Sequence, residues 1–256
     1  MKVLLVIFLL LFNYSFSQET VFELLNSNQT GVEFNNVIED KKEHNILLYA
    51  NYYGGAGVGI ADFNNDGLQD IYLAGNLVGD KIYRNDGDLK FTDLTMDSGI
   101  LDDGSWSSGV SIADVNQDGL VDIYISKELY DDKPDLRRNK LYINMGNFKF
   151  VEVAQKWGVD VSARTRHAVF FDYNNDGLLD LYLLNQPPNP GNYSKFFGAD
   201  LTLPKYSLQL FKNSGNSTFV DVTKEAGLFR TGFPNAVVAS DFNKDGFTDL
   251  YVANDF

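Results

Sequence analysis

A nine-residue pattern, Asp-x-Asn-x-Asp-Gly-x-x-Asp, occurs four times in this chain: Asp62 to Asp70, Asp114 to Asp122, Asp172 to Asp180 and Asp241 to Asp249. Self-similarity at a spacing of roughly 50 to 70 residues marks a repeat architecture. Each copy runs into an apolar, β-branched or aromatic stretch that predicts a strand: Ile71 to Leu73, Ile123 to Ile125, Leu181 to Leu184 and Leu250 to Val252. Further on, Tyr83 to Gly87, Tyr142 to Gly146 and Phe211 to Gly215 each give an aromatic residue, a strand end and an Asn-x-Gly turn. A last strand then begins near Phe91, Phe150 and Phe219, with an acid two residues later at Asp93, Glu152 and Asp221, and ends before Gly99, Gly158 and Gly227.

One unit therefore reads as strand, Asp-rich hairpin, strand, connection, strand, Asn-x-Gly hairpin, strand. Four antiparallel strands per unit predict an all-β chain, a β-propeller of four-stranded blades. The blades are expected at Gly55 to Leu94, Gly109 to Ala154 and Ala168 to Thr223, with a half blade from Ala236 onward. Three and a half blades cannot close a ring without exposed strand edges, so the sequence reads as a fragment whose C-terminal part is missing.

Residues 1–17 read as a signal peptide: Met1 and Lys2, an apolar run from Val3 to Phe12, then small Ser15 and Ser17 before the cut. The product is expected to be secreted, periplasmic or at the cell surface, with no transmembrane segment in the mature chain. Residues 18–54 form an N-terminal segment in which Val21 to Phe34 echoes the fourth strand of a blade, a possible ring-closing strand. Residues 55–256 carry the repeats.

The chain has no cysteine, which excludes disulfides, thiolate metal sites and a cysteine nucleophile. Its formal charge of −14 excludes nucleic acid as a partner through non-specific electrostatics. The four loops hold twelve of the 35 acidic residues, so divalent cations are the natural counter-charge.

Calcium takes about six to eight oxygen ligands, and loops of this type supply them from alternate positions. The expected ligands are Asp62, Asn64, Asp66, the Leu68 carbonyl and Asp70; Asp114, Asn116, Asp118, the Leu120 carbonyl and Asp122; Asp172, Asn174, Asp176, the Leu178 carbonyl and Asp180; and Asp241, Asn243, Asp245, the Phe247 carbonyl and Asp249. The sixth-position glycines, Gly67, Gly119, Gly177 and Gly246, suit a sharp turn with positive φ. The twelfth position of an EF-hand carries Glu and that of a dockerin loop usually Asp, whereas here it is Leu73, Ile125, Leu183 or Val252. The last carboxylate is thus expected from the ninth position, before a strand. About four Ca²⁺ are expected, in place of the absent disulfides.

These residues resemble the FG-GAP or VCBS repeat proteins, whose propellers are related to the head of integrin α chains. Phe219 to Leu228 and Phe91 to Ile100 are similar to the bacterial cartilage-acidic-protein-like branch, which often ends in an ASPIC/UnbV domain. The resemblance implies a seven-bladed ring, calcium in several blades and a role in extracellular binding or adhesion. Asn at the third position, where many relatives have Asp, removes one charge per loop.

Other chemistry is sparse. His44 and His167 have no zinc-ligand spacing. Arg164, Arg166 and His167 stand just before the expected first strand of blade 3, where pairing with acids is the expected role and a ligand near the axis the alternative. Gly54, Gly55, Gly57 and Gly59 fit no phosphate loop and predict close packing of inner strands. Gly104 to Gly109 lacks the hydrolase elbow. Asn28, Asn192 and Asn216 open glycosylation sequons. The insertions Gln186 to Tyr206 and Leu129 to Arg138 are the best candidates for a ligand surface, the alternative being a cap that covers adjacent blades. The functional expectation is a non-enzymatic module that binds an extracellular glycan or protein; the alternatives are a polysaccharide lyase or hydrolase on a propeller, and a purely structural repeat array.

Overall fold

A computed structural model describes residues 22–187 and 200–255. The first blade comprises β1 (Val58–Ala61), β2 (Asp70–Leu73), β3 (Lys81–Gly87) and β4 (Lys90–Asp93), and the second β5 (Trp106–Ala113), β6 (Asp122–Glu128), β7 (Lys140–Asn144) and β8 (Phe150–Glu152). The third has β9 (Arg164–Phe171), β10 (Asp180–Gln186), β11 (Gln209–Asn213) and β12 (Phe219–Asp221), and β13 (Pro234–Ser240) pairs with β14 (Asp249–Asn254). Every pairing is antiparallel between chain neighbours, giving three four-stranded meanders and one two-stranded sheet. These sheets are propeller blades, as the repeat predicted.

Apolar residues fill the spaces between neighbouring blades. Phe63, Tyr72 and Ile82 of the first meet Val110, Ile123 and Ile125 of the second in one core. Val115, Tyr124 and Leu141 of the second meet Leu181 and Phe211 of the third in another. The inner strands approach closely enough to demand glycine: a Cβ on Gly57 would stand 2.5 Å from the Val110 amide nitrogen. Gly59 likewise abuts Ile112 and Val110, so Gly57 and Gly59 bear out the packing role expected for the glycine cluster, whereas Gly55 has no neighbour within 4 Å and takes a positive φ.

The first strands begin earlier than their apolar residues suggest. β5 starts at Trp106 and β9 at Arg164, so Arg164, Arg166 and His167 lie within the strand. Polar groups here bond across blades: Ser108 Oγ donates to the Thr165 carbonyl at 2.6 Å and Asn139 Nδ2 to Thr165 Oγ1 at 2.8 Å. Arg164 and Arg166 do pair with acids, Asp131 at 2.7 Å and Glu128 at 3.2 Å.

Short helices α2 (Thr95–Ser98) and α3 (Ala154–Trp157) follow the outer strands of blades 1 and 2, each ending on a left-handed glycine, Gly99 and Gly158, that abuts the backbone carbonyl of the next blade's Phe150 or Phe219. In the N-terminal segment α1 (Ser27–Thr30) ends on Gly31 against the Phe91 carbonyl in the same manner. This turn takes the place that α2 and α3 take after β4 and β8, and among the described residues no strand is paired between residues 22 and 57. The segment continues as a strap over the blades. Asn36 and Asn76 exchange hydrogen bonds, Tyr49 Oη donates to Glu128, and Asn51 Nδ2 donates to Gln186 Oε1 at 3.2 Å. The expected signal peptide and most of the Gln186 to Tyr206 insertion lie outside the described residues.

Candidate metal centres

The four Asp-rich loops join the first and second strands of their sheets, so they share one end of the blades. Each is built by its own side chains. In the first loop Asp62 accepts the amides of Asp66 at 3.0 Å and Gly67 at 2.7 Å. Asn64 Oδ1 accepts the Asp66 amide at 3.3 Å, and Asp66 Oδ1 that of Leu68 at 2.8 Å. The other three loops repeat these bonds from Asp114, Asn116 and Asp118, from Asp172, Asn174 and Asp176, and from Asp241, Asn243 and Asp245. The sixth-position glycines have φ between +84° and +90°, as their place in the pattern predicts.

The ninth-position acids differ in kind. Asp70, Asp122 and Asp180 are fully buried. One oxygen of each accepts the amide of the loop's second residue, Phe63, Val115 or Tyr173, at 2.9 to 3.0 Å. The other accepts the amide of Asn85, Asn144 or Asn213 in the third strand, at 2.8 Å. Each acid thus clamps its loop to the strand beyond. Asp249 accepts the Phe242 amide at 3.1 Å.

Burial pushes these carboxyls up, and the loop acids push in the same direction. Asp122 is raised to about 6 by desolvation, against the two amides, with the charges of Asp118 and Asp114 adding to the shift. Asp70 and Asp180 are raised for the same reasons. In the third loop Lys212 pairs with Asp176 at 3.1 Å, where blades 1 and 2 carry Arg84 and Ile143 and form no such bond.

By donor type the loops suit a hard divalent cation: three carboxylates and an amide oxygen from alternate residues. An ionised carboxylate has about four lone-pair sites, so the loop hydrogen bonds leave acceptor capacity. The cage is nonetheless not closed. Among the described residues no group of three or more His, Asp or Glu side chains converges as a metal site. Within each loop Asn64 Nδ2 donates to Asp66 Oδ2 at 2.8 Å, and Asn116, Asn174 and Asn243 do likewise to Asp118, Asp176 and Asp245.

Two further kinds of side chain hold the loops together. The hairpin asparagines reach back, with Asn144 Nδ2 donating to the Phe63 carbonyl at 2.8 Å and Asn213 Nδ2 to that of Val115 at 3.3 Å. The fourth loop residues reach forward. Asn65 donates to the Gly119 carbonyl at 2.9 Å, Gln117 to that of Gly177 at 2.5 Å, and Asn175 to that of Gly246 at 2.9 Å. The sequence pattern hides these fourth residues as "x"; the recurrence of Asn, Gln and Asn there was the signal.

Comparisons with known proteins agree with this construction. The FG-GAP-like repeat matches residues 43–125 and 131–183, and the FG-GAP repeat matches 233–256. Cartilage acidic protein 1 from Homo sapiens is 25% identical over 207 residues, which cover 79% of this chain and 28% of that protein. The Xenopus tropicalis protein is 25% identical over 205 residues, covering 79% of this chain and 29% of that protein. The chain thus spans under a third of the length of these curated relatives. With the repeat matching over half of its residues and its blades formed as the repeat requires, the chain belongs to the FG-GAP-like repeat family.

Proposed function

We propose that this chain is a calcium-stabilised propeller module, exported from the cell, that binds an extracellular glycan or protein without catalysing a reaction. The observation that carries the calcium reading is the set of fully buried ninth-position carboxylates, each set beside two further loop acids. Asp62, Asn64, Asp66, the Leu68 carbonyl and Asp70 would hold an ion in the first loop, with the equivalent residues in the other three. Bound calcium supplies positive charge, and four ions would bring the formal charge from −14 to about −6. The chain's part is to fix the loop through the amides of Asp66, Gly67 and Leu68 and to clamp it to the third strand through Asp70. At millimolar calcium and a Kd near 10⁻⁴ M, each site would stabilise by about 1.4 kcal/mol.

Recognition is assigned to the opposite end of the blades. β6 and β10 start at the Asp-rich loops and end at Glu128 and Gln186, where the two long insertions begin. Long loops on a rigid scaffold are the usual carriers of binding.

Thermal unfolding of the chain against Ca²⁺, with EDTA as the zero point, tests the reading. A saturable rise in Tm is expected, lost in the Asp66→Ala, Asp118→Ala, Asp176→Ala, Asp245→Ala variant. A flat response up to several millimolar overturns it. Glycan-array and extracellular-protein binding, compared in calcium and in EDTA, then tests the partner class.

A further inference from the structure

We propose that Asn65, Gln117 and Asn175 are positioning residues that link successive calcium loops, so that each loop's affinity depends on the loop before it. The proposal rests on the calcium reading and adds a direction to it. The three side chains occupy the same fourth position, between the third and fifth ligand positions, and none is itself an expected ligand. All three have left-handed backbone, with φ of 58° to 60°, a conformation that Asn tolerates better than most residues. Each carries its amide into the next blade, across 54, 60 or 71 residues of sequence, to the carbonyl of that loop's sixth-position glycine.

That carbonyl belongs to the peptide whose N–H is on the seventh residue. The same N–H donates to the fifth-position acid: Leu120 to Asp118, Leu178 to Asp176, Phe247 to Asp245. The forward amide therefore orients a peptide that in turn orients a ligand carboxylate, and the seventh residue supplies the expected carbonyl ligand. A hydrogen bond that polarises this peptide strengthens its N–H as a donor. The chain of bonds runs one way, from loop 1 to 2 to 3 to 4, because amides donate forward and glycine carbonyls accept. In the fourth loop the position is Lys244, φ 63°, which keeps the backbone form and replaces the neutral amide with an ammonium group.

The test separates the lost bond from backbone strain by substituting glycine, which adopts positive φ without cost. Asn65→Gly and Gln117→Gly are each titrated with Ca²⁺, following the amide resonances of Gly67, Gly119, Gly177 and Gly246 to give a midpoint for each loop. Asn65→Gly is expected to shift the Gly119 midpoint at least threefold to higher calcium, with a smaller change at Gly67; Gln117→Gly is expected to do the same at Gly177 relative to Gly119. A substitution that moves only its own loop, or neither loop, overturns the linkage while leaving calcium binding standing. If no glycine of the unsubstituted chain responds to calcium, the metal reading and the linkage fall together. Far-UV circular dichroism of each variant in EDTA establishes that the fold is retained.

Discussion

Asp118 and Asp122 are four residues apart in one loop, yet their surroundings assign them different work. Asp118 is exposed and holds local amides, whereas Asp122 is fully buried between the Val115 and Asn144 amides. An asparagine at 122 retains one acceptor oxygen and turns an NH₂ toward the other amide, leaving a buried donor unsatisfied. Asp122→Asn is therefore expected to cost about 1–3 kcal/mol in EDTA. Asp118→Asn is expected to stay within about 0.5 kcal/mol there, as surface changes do. Urea unfolding of both variants in EDTA checks the contrast. Equal effects would show that the ninth position is not the structural clamp. His167 adds a pH dependence of its own: burial, then the charge of Arg166, holds its pKa below the ordinary value. A depressed histidine binds fewer protons folded than unfolded, so its contribution to stability falls as pH drops through its unfolded value of about 6.5. His167→Gln is expected to flatten the stability profile between about pH 7 and 5, measured by urea midpoints.

At the level of elements, close approach of inner strands is the feature most exposed to test. Gly57 lies against Val110, and a methyl group there meets backbone nitrogen at 2.5 Å, which no side-chain rotation relieves. Gly57→Ala is expected to destabilise by about 1–3 kcal/mol through overpacking, read as a lower denaturant midpoint with the four strands of blade 1 retained. The strands themselves were only partly legible. β2, β6, β10 and β14 follow Asp-rich loops and are apolar enough to read directly. The starts of β5 and β9 were not, because Trp106 to Ser108 and Arg164 to His167 present hydroxyls, guanidinium groups and imidazole where a core strand is expected to be apolar. Several of those groups find partners across blades, as Ser108 with Thr165 and Arg166 with Glu128 show, and contacts between distant segments leave no periodicity to read. In the loops, the first, third, fifth, sixth and ninth residues were legible from repetition. The hairpin asparagines were legible as turn residues, but their reach to the preceding blade, like that of the fourth-position amides to the next, was not, since those partners lie one blade away.

Across the whole molecule, blades 1 to 3 are tied twice, by the loop-to-loop amides at one end and by the strap of residues 36–51 at the other. The strap meets the same structural position in each blade: Asn76, Glu128 and Gln186 each stand six residues after the ninth-position acid and each bonds a strap residue. Glu128 is the tightest of these, fully buried and shared between Tyr49 of the strap and Arg166 of blade 3. Tyr49 also lies edge-on to Trp106 and beneath the Arg164 guanidinium. Removing only the Tyr49 hydroxyl keeps those ring contacts and deprives the buried carboxylate of one donor. Tyr49→Phe is therefore expected to cost about 1.5–3 kcal/mol, the range for a hydrogen bond to a charged group. If the strap is a separate cooperative unit, the loss appears as local opening: cleavage within residues 40–48 by a protease of broad specificity rises roughly tenfold or more, while the global urea midpoint moves little. If the strap is integral to the blades, the global midpoint falls by the full amount and cleavage tracks it. The ratio of the two effects measures how far this end of the propeller depends on the N-terminal segment for its rigidity.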